Sequence, residues 1–525
     1  MNLVNHLADR ASQHPKRIAL IDTHQSLNYA ELYAHVCNGS KQLLNDGLTP
    51  GDSILILQPV TIPLYISLLS AFHAGLTVIF IDPSAEKSVI RNSLSLYPPT
   101  AFIGVGKAHL LRITIPEIRK IPKLYHSSGW APRSAFWSPV ATNTKLHPPH
   151  HSSADSPALI TFTSGSTGMP KAACRTHGFL LAQHEALAES LDYREGEVDL
   201  ITLPVFTLAN LASGLTSVLA DTDLRFPARA DSSSILRQCN EHNVTRAAAS
   251  PAFFEKLLSD DSFPGFQTIY TGGAPVFPDL LTKIQTSKPE LKIVTVYGST
   301  EAEPISHNLW SATSTEELHM MTSGKGLLVG KPVSATRLRI ITDQSGENIP
   351  PLSAEDFDRL QLDDGEIGEI IVTGEHVLQG YLNGQGDEEN KIKIQHSNDS
   401  VIWHRTGDAG WIDEHGRVWL VGRCSAAIKR PGKEPVYPFG IECSAMHHPA
   451  VARCAFIDHE GKNTLVIQSS PAQPIHPTEC QEIENSLSSL PIEQFLYLDH
   501  IPVDKRHNAK IDYPALNKKL ASMPS

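Results

Sequence analysis

The run Thr163-Ser164-Gly165-Ser166-Thr167-Gly168-Met169-Pro170-Lys171 carries the parts of a polyphosphate cradle. Its glycines let the backbone close tightly and turn N–H groups inward, its hydroxyls add donors, and Lys171 adds a positive charge. It is not the phosphate loop of kinases and GTPases, which sets Lys directly before Ser or Thr at the opening of a helix. Here Lys171 follows Pro170 and runs on into Ala172-Ala173-Cys174-Arg175. A flexible Ser/Gly linker would share the composition. The apolar run that precedes the loop and its Pro-Lys end favour a built site.

Five further clusters follow along the chain. Gly272-Gly273-Ala274 and Tyr297-Gly298-Ser299-Thr300-Glu301 each close an apolar, strand-like run. Thr406-Gly407-Asp408 precedes Gly422-Arg423, and Arg506-His507-Asn508-Ala509-Lys510-Ile511 lies near the end. Taken in this order, the six segments resemble the signature of the acyl-adenylate-forming (AMP-binding) superfamily, which holds acyl-CoA synthetases, peptide-synthetase adenylation domains and luciferases. The resemblance implies ATP as substrate, Mg²⁺ as cofactor, and release of pyrophosphate from an acyl-adenylate. It implies that residues 163–168 and Lys171 take phosphates, that Gly272, Gly273 and Ala274 lie against adenine, and that Tyr297 stacks on the base, with Gly298 and Ser299 completing that turn. Thr300 would contact phosphate and Glu301 would hold Mg²⁺, a carboxylate being suited to a hard cation that bridges phosphate oxygens. Asp408 would accept from both ribose hydroxyls, and Arg423 would reach the nucleotide. Lys510 would offset charge on the carboxylate and α-phosphate during adenylation.

The sequence departs from that pattern in three places. Ser425 stands at the hinge position where the superfamily usually has Asp or Lys, the stretch 432–442 is one residue longer, and Lys510 follows Asn508-Ala509 where a Gly is usual. These departures put the usual domain rotation and thioester half-reaction in question. Segments 80–85, 101–112, 203–223 and 504–511 resemble olefin β-lactone synthetases in particular. In those enzymes a 3-hydroxy fatty acid is adenylated and its own hydroxyl expels AMP, an internal nucleophile already in place. CoA is then possible but not required. The alternatives are an acyl-CoA or acyl-carrier ligase and a non-catalytic adenylate-binding scaffold. By family position Phe206 lines the acyl pocket, with His177 and His307 near it; His177, Glu303 and His307 are the polar candidates for a base.

The elements that must position these residues alternate. From Ser53 onward the chain reads strand, helix, strand, with strand-like runs at 53–60, 77–82, 101–105 and 158–163. A second series includes a helix expected through 208–220 and strands at 268–273 and 292–298. Both series predict βα units around parallel sheets. Residues 107–155 read as a looser linker or surface loop. After Gly326, short runs such as 337–342, 368–374, 401–404, 409–413 and 417–422 predict a small antiparallel barrel or sheet. The expected fold is therefore α/β. A large N-terminal domain, 1–423, comprises two doubly wound βα subdomains plus a small β-barrel-like subdomain. A small mobile α+β domain, 424–525, carries Lys510.

With 525 residues the chain exceeds a single core. Its net charge of −12 argues against nucleic acid as a partner. The expected partners are a small long-chain carboxylic acid and possible enzymes of the same pathway; the oligomeric state is left open. The seven cysteines show no CxxC pair, so free thiols are expected. Residues 53–81 lack any charge, but Gln58, Pro59, Pro63, His73 and Gly75 interrupt them, so no transmembrane segment is expected. The N-terminus has no signal-peptide pattern, and a cytoplasmic enzyme is the expectation.

Overall fold

The computed structural model describes residues 2–82, 85–140, 146–164, 170–395, 400–469, 475–503 and 510–522. They form two compact units, 1–221 with 375–388, and 222–374 with 389–525.

In the first unit, the charge-free stretch resolves into a strand, Ser53–Leu57, a buried helix, Ile62–His73, and a second strand, Thr77–Phe80. That helix is apolar on every face because sheet and helices surround it. Pro63 sits in its first turn, where a missing N–H costs nothing. Among the described residues no helix is long and apolar enough to cross a membrane. The sheet runs in the order Ala135–Phe136, Lys123–His126, Ala101–Gly104, Ser53–Leu57, Thr77–Phe80, Pro157–Ser164 and Pro170–Thr176. All its pairings are parallel except the last, which is antiparallel.

Two expectations change here. The helix expected through 208–220 spans only Phe206–Ser213. Gly214 then turns the chain at φ 80°, and Thr216–Leu219 is a strand paired in parallel with both Ile18–Ile21 and Val198–Ile201. Apolar content alone did not separate the helix from the β-branched Thr216 and Val218 that follow it. The supposed linker 107–155 contains short helical turns and the two outer strands Lys123–His126 and Ala135–Phe136. The 147–151 stretch is a Pro-interrupted loop, and its backbone serves the fold. The carbonyl of His147 accepts from Tyr33 Oη at 2.8 Å and lies 3.1 Å from Nε2 of His73.

In the second unit, the strands Arg246–Ala249, Thr268–Gly272 and Lys292–Ser299 are parallel. The chain then reverses at Thr300-Glu301, and Ala302–Leu309 pairs back antiparallel. Antiparallel pairing continues through Leu327–Pro332, Val418–Arg423, Ser400–Ile412, Gly368–Thr373 and Arg337–Ile341. The two short runs expected at 401–404 and 409–413 are one strand, Ser400–Ile412. Gly407 bends it at φ 69°, and the register shifts at Ala409/Gly410. Behind it lies a buried ion pair, Arg405 Nη2 to Glu369 Oε2 at 2.6 Å. The guanidinium also donates to the carbonyls of Gln344 and Glu347, so its charge is fully engaged.

The C-terminal part of this unit has a three-stranded sheet, Val451–His459, Lys462–Ser469 and Gln494–Leu498. Helices Pro438–Met446, Pro477–Ser486 and Tyr513–Ala521 accompany it. It joins the preceding strands through the single helical turn Cys424–Ala426. Asp343 Oδ2 binds it beyond that turn, taking Tyr437 Oη and Lys429 Nζ at 3.0 Å each. Gly440 packs so close to Gly324 that a Cβ would come within 2.1 Å of its carbonyl oxygen.

Candidate active site

The second unit gathers Tyr297, Asp408 and Arg423 through strand register. Asp408 pairs directly with Arg423 across two antiparallel strands. Tyr297 Oη donates to Asp408 Oδ2 at 2.9 Å, and Arg423 Nη1 lies 3.0 Å from Oδ1. The same Nη1 donates to the carbonyl of Thr406 at 2.8 Å. Thr406 Oγ1 accepts from Asp408 N–H at 3.0 Å and donates to the Ile370 carbonyl at 2.8 Å, fixing the bend that presents the carboxylate. Each carboxylate oxygen thus has one protein partner and a lone pair to spare for a diol. Burial, with the Asp408 carboxylate beside it, holds the Tyr297 phenol well above its ordinary range, so it stays a donor. Asp408 in turn raises Arg423, and the Glu301 carboxylate adds to that field.

Around this cluster the strand ends suit a flat ligand. A Cβ on Gly272 would meet the Val296 carbonyl oxygen at 2.3 Å, so only glycine permits the approach. The hydroxyls of Thr271, Thr295 and Ser299 are buried and find no partner among the described residues. Buried unpaired donors are costly; Ser299 ends its strand and Thr271 is next to the end of its own, while Thr295 lies mid-strand. Thr300 is exposed and Glu301 half-buried, in the turn that follows. Glu303 and His307 lie on the next strand, Ala302–Leu309.

In the first unit, Thr163 pairs with Lys171 and Ser164 with Pro170, so an antiparallel pair forms the base of the loop. Gly165, Ser166, Thr167 and Gly168 lie outside the described residues. Lys171 is nearly buried, with its ammonium 5.7 Å from the Tyr381 ring centre. Phe206 opens the buried helix Phe206–Ser213. His177 is spent on the fold. Its ring packs edge-on against Phe72, and Nδ1 accepts from Leu3 N–H at 3.3 Å. Burial pushes its pKa down to about 4, so it is a neutral core histidine.

Lys510 sits in an exposed turn. The residues after it are tied down: Ile511 bridges to Val503, Asp512 N–H donates to the Pro502 carbonyl, and the Asp512 carboxylate caps the last helix by accepting from Ala515 N–H. Tyr513 Oη donates to Glu442 Oε1 at 3.3 Å, and Phe456 N–H donates to the same oxygen at 3.0 Å. Burial pushes the Glu442 carboxyl up to about 7. Asp343, Glu442 and Tyr513 escaped sequence reasoning, since their partners lie 94 or 71 residues away and no local pattern marks them.

The AMP-binding enzyme family matches residues 7–382. The olefin beta-lactone synthetase of Xanthomonas campestris pv. campestris is 30% identical, over 93% of this chain and 89% of that protein. The 2-succinylbenzoate–CoA ligase of Bacillus licheniformis is 26% identical, over 96% of this chain and 97% of that one. Among solved structures, ATP-bound MatB from Rhodopseudomonas palustris superposes with a TM-score of 0.78 at 18% identity, covering 99% of both chains, which establishes the shared fold. The chain belongs to the AMP-binding enzyme family and is an ATP-dependent adenylate-forming enzyme.

Proposed function

We propose that the enzyme activates a long-chain 3-hydroxy acid as its acyl-adenylate and then closes it to a β-lactone. The observation that carries the nucleotide half is the Asp408 carboxylate, held beside the Gly407 bend by Tyr297 and Arg423 with lone pairs left for a ribose diol. The similarity to an olefin beta-lactone synthetase along nearly the whole chain supports the second half.

In this reading Gly272, Gly273 and Ala274 take the adenine, and residues 163–168 with Lys171 and Thr300 take the phosphates. Glu301 holds Mg²⁺, which neutralises charge on the phosphate oxygens when bound. The substrate carboxylate attacks the α-phosphorus, and the bond to the departing pyrophosphate breaks. Lys510 offsets the negative charge that develops, carried there by residues 424–525 acting as a lid domain. The 3-hydroxyl then attacks the acyl carbonyl. The acyl–phosphate C–O bond breaks, AMP leaves, and the hydroxyl proton passes to a base. Glu303 and His307 are the candidates; His177 is not, because Nδ1 is occupied and its low pKa makes it a poor acceptor. Phe206 and its helix line the acyl pocket. We place the reaction in the cytoplasm, where ATP is available.

The similarity to a CoA ligase over 96% of the chain favours a second reading, transfer of the acyl group to a thiol. Purified protein incubated with ATP, Mg²⁺ and a 3-hydroxy fatty acid, with and without CoA, separates the two. Lactone formed without CoA is the expected product. Strict CoA dependence assigns the ligase reading, and absence of pyrophosphate with every acid tried overturns both.

A further inference from the structure

One edge of the first unit's sheet is apolar, exposed and basic, in a chain of net charge −12. Nine large apolar side chains stand out as exposed among the described residues, and six of them fall between Leu110 and Leu146. Such crowding marks a surface that meets something other than water.

The topology puts four of them together. Gly104, His126 and Phe136 pair at the carboxyl ends of three adjacent parallel strands. Leu110 and Ile113 lie one helical turn apart in the segment leaving the first of these strands. Trp130 lies in the loop leaving the second, and Phe136 ends the third. The two connecting segments touch: Gly106 N–H donates to the Ser128 carbonyl at 2.8 Å, and Arg112 Nη1 donates to that of Pro132 at 2.8 Å. Ile113 is 75% exposed and Trp130 77%, so neither is covered by the protein's own packing. Between residues 105 and 140 six Lys or Arg stand against the single acid Glu117, which pairs with Arg91 at 3.6 Å. Lys107, in the segment that carries Leu110, and Arg133, three residues after Trp130, are exposed.

We infer that this edge docks on an anionic phospholipid bilayer. An indole with neighbouring aliphatic side chains seats at headgroup depth, while lysine and arginine extend to lipid phosphates. The local positive charge in an otherwise acidic molecule selects an anionic surface and orients the enzyme toward it. The inference stands independently of the proposed lactone chemistry.

Flotation of the full-length chain with phosphatidylcholine vesicles, with and without phosphatidylglycerol, tests it. The wild-type chain is expected to float only with phosphatidylglycerol present, and salt should release it. Ile113→Ser/Trp130→Ser and Lys107→Glu/Arg133→Glu should each lower partitioning by about tenfold or more. The charge variant should also lose the salt dependence. Both variants should keep the wild-type melting temperature, since the residues are exposed, and wild-type pyrophosphate release with a short water-soluble acid. No flotation with either vesicle, or equal flotation of wild type and variants, overturns the inference while leaving the adenylation reading intact. Self-association that the Trp130 variant abolishes, without vesicle binding, assigns the face to a second copy and also overturns it.

Discussion

The Asp408 cluster and the Lys510 turn lie in the same unit but are held in different ways. Asp408, Arg423 and Tyr297 stand on neighbouring or nearby strands whose backbone ladders set their spacing. Their own hydrogen bonds only refine a geometry the sheet already imposes. Lys510 is instead exposed and belongs to no strand; the residues that follow it are held by a β-bridge, a backbone hydrogen bond and the Tyr513 contact. A sheet-borne group is preorganised, which suits a site that must recognise the same nucleotide at every turnover. A turn-borne lysine is easier to displace, which suits a group needed only while charge develops.

The largest expected effect breaks the turn-borne side of that contrast. Lys510→Ala should slow pyrophosphate release by about 100-fold or more in kcat, because one cationic donor placed on the charge of the transition state is worth that much. Its KM for ATP should stay near wild type; wild-type turnover would remove the lysine from the chemistry. Next comes the sheet-borne side. Asp408→Asn keeps the shape but removes the charge facing Arg423 and any diol, so the KM for ATP should rise by roughly tenfold or more. An unchanged KM would show that the ribose lies elsewhere. Tyr297→Phe removes only one of the two side-chain contacts to Asp408, and about fivefold in ATP affinity is expected from a single hydrogen bond.

The smallest effect on activity sharpens the contrast through stability. Glu442 anchors Tyr513 and has a carboxyl raised to about 7 from an ordinary 4.5. Between those values the native state holds more protons than the unfolded chain, so this group's contribution falls as pH rises and is fully lost above about 7. Glu442→Gln keeps an acceptor oxygen and carries no such slope. The stability of wild type relative to this variant should therefore fall between pH 5 and pH 8, by at most about 3 kcal/mol. Parallel melting curves for both proteins across that range would show that the carboxyl does not titrate in the fold.

Legibility in the sequence followed locality. Strands ending at Gly272 and Ser299 were readable because β-branched runs stop at small residues. The cradle at 163–171 was readable from composition plus its apolar approach, and the Asp408 and Lys510 assignments rested on motif resemblance. Thr216–Leu219 was misread because its partners, Ile18–Ile21 and Val198–Ile201, are distant in sequence, and pairing decides strand over helix for a short apolar run. The strands within 107–155 were hidden for a similar reason. Ala135–Phe136 spans two exposed residues and exists only as an addition to a sheet edge. His177 was set near the acyl pocket by family position, while its Nδ1 partner in the fold, the Leu3 amide, lies 174 residues upstream.

Asp343 bears on how freely the C-terminal part can pivot. Its carboxylate is 8% exposed and receives both Tyr437 and Lys429 from beyond the Cys424–Ala426 turn. Swinging that part away would strand an anion at the pivot until solvent reached it. In the lid reading proposed above, that cost falls on any rotation of residues 424–525, and because the carboxylate is buried, added salt should relieve it only weakly.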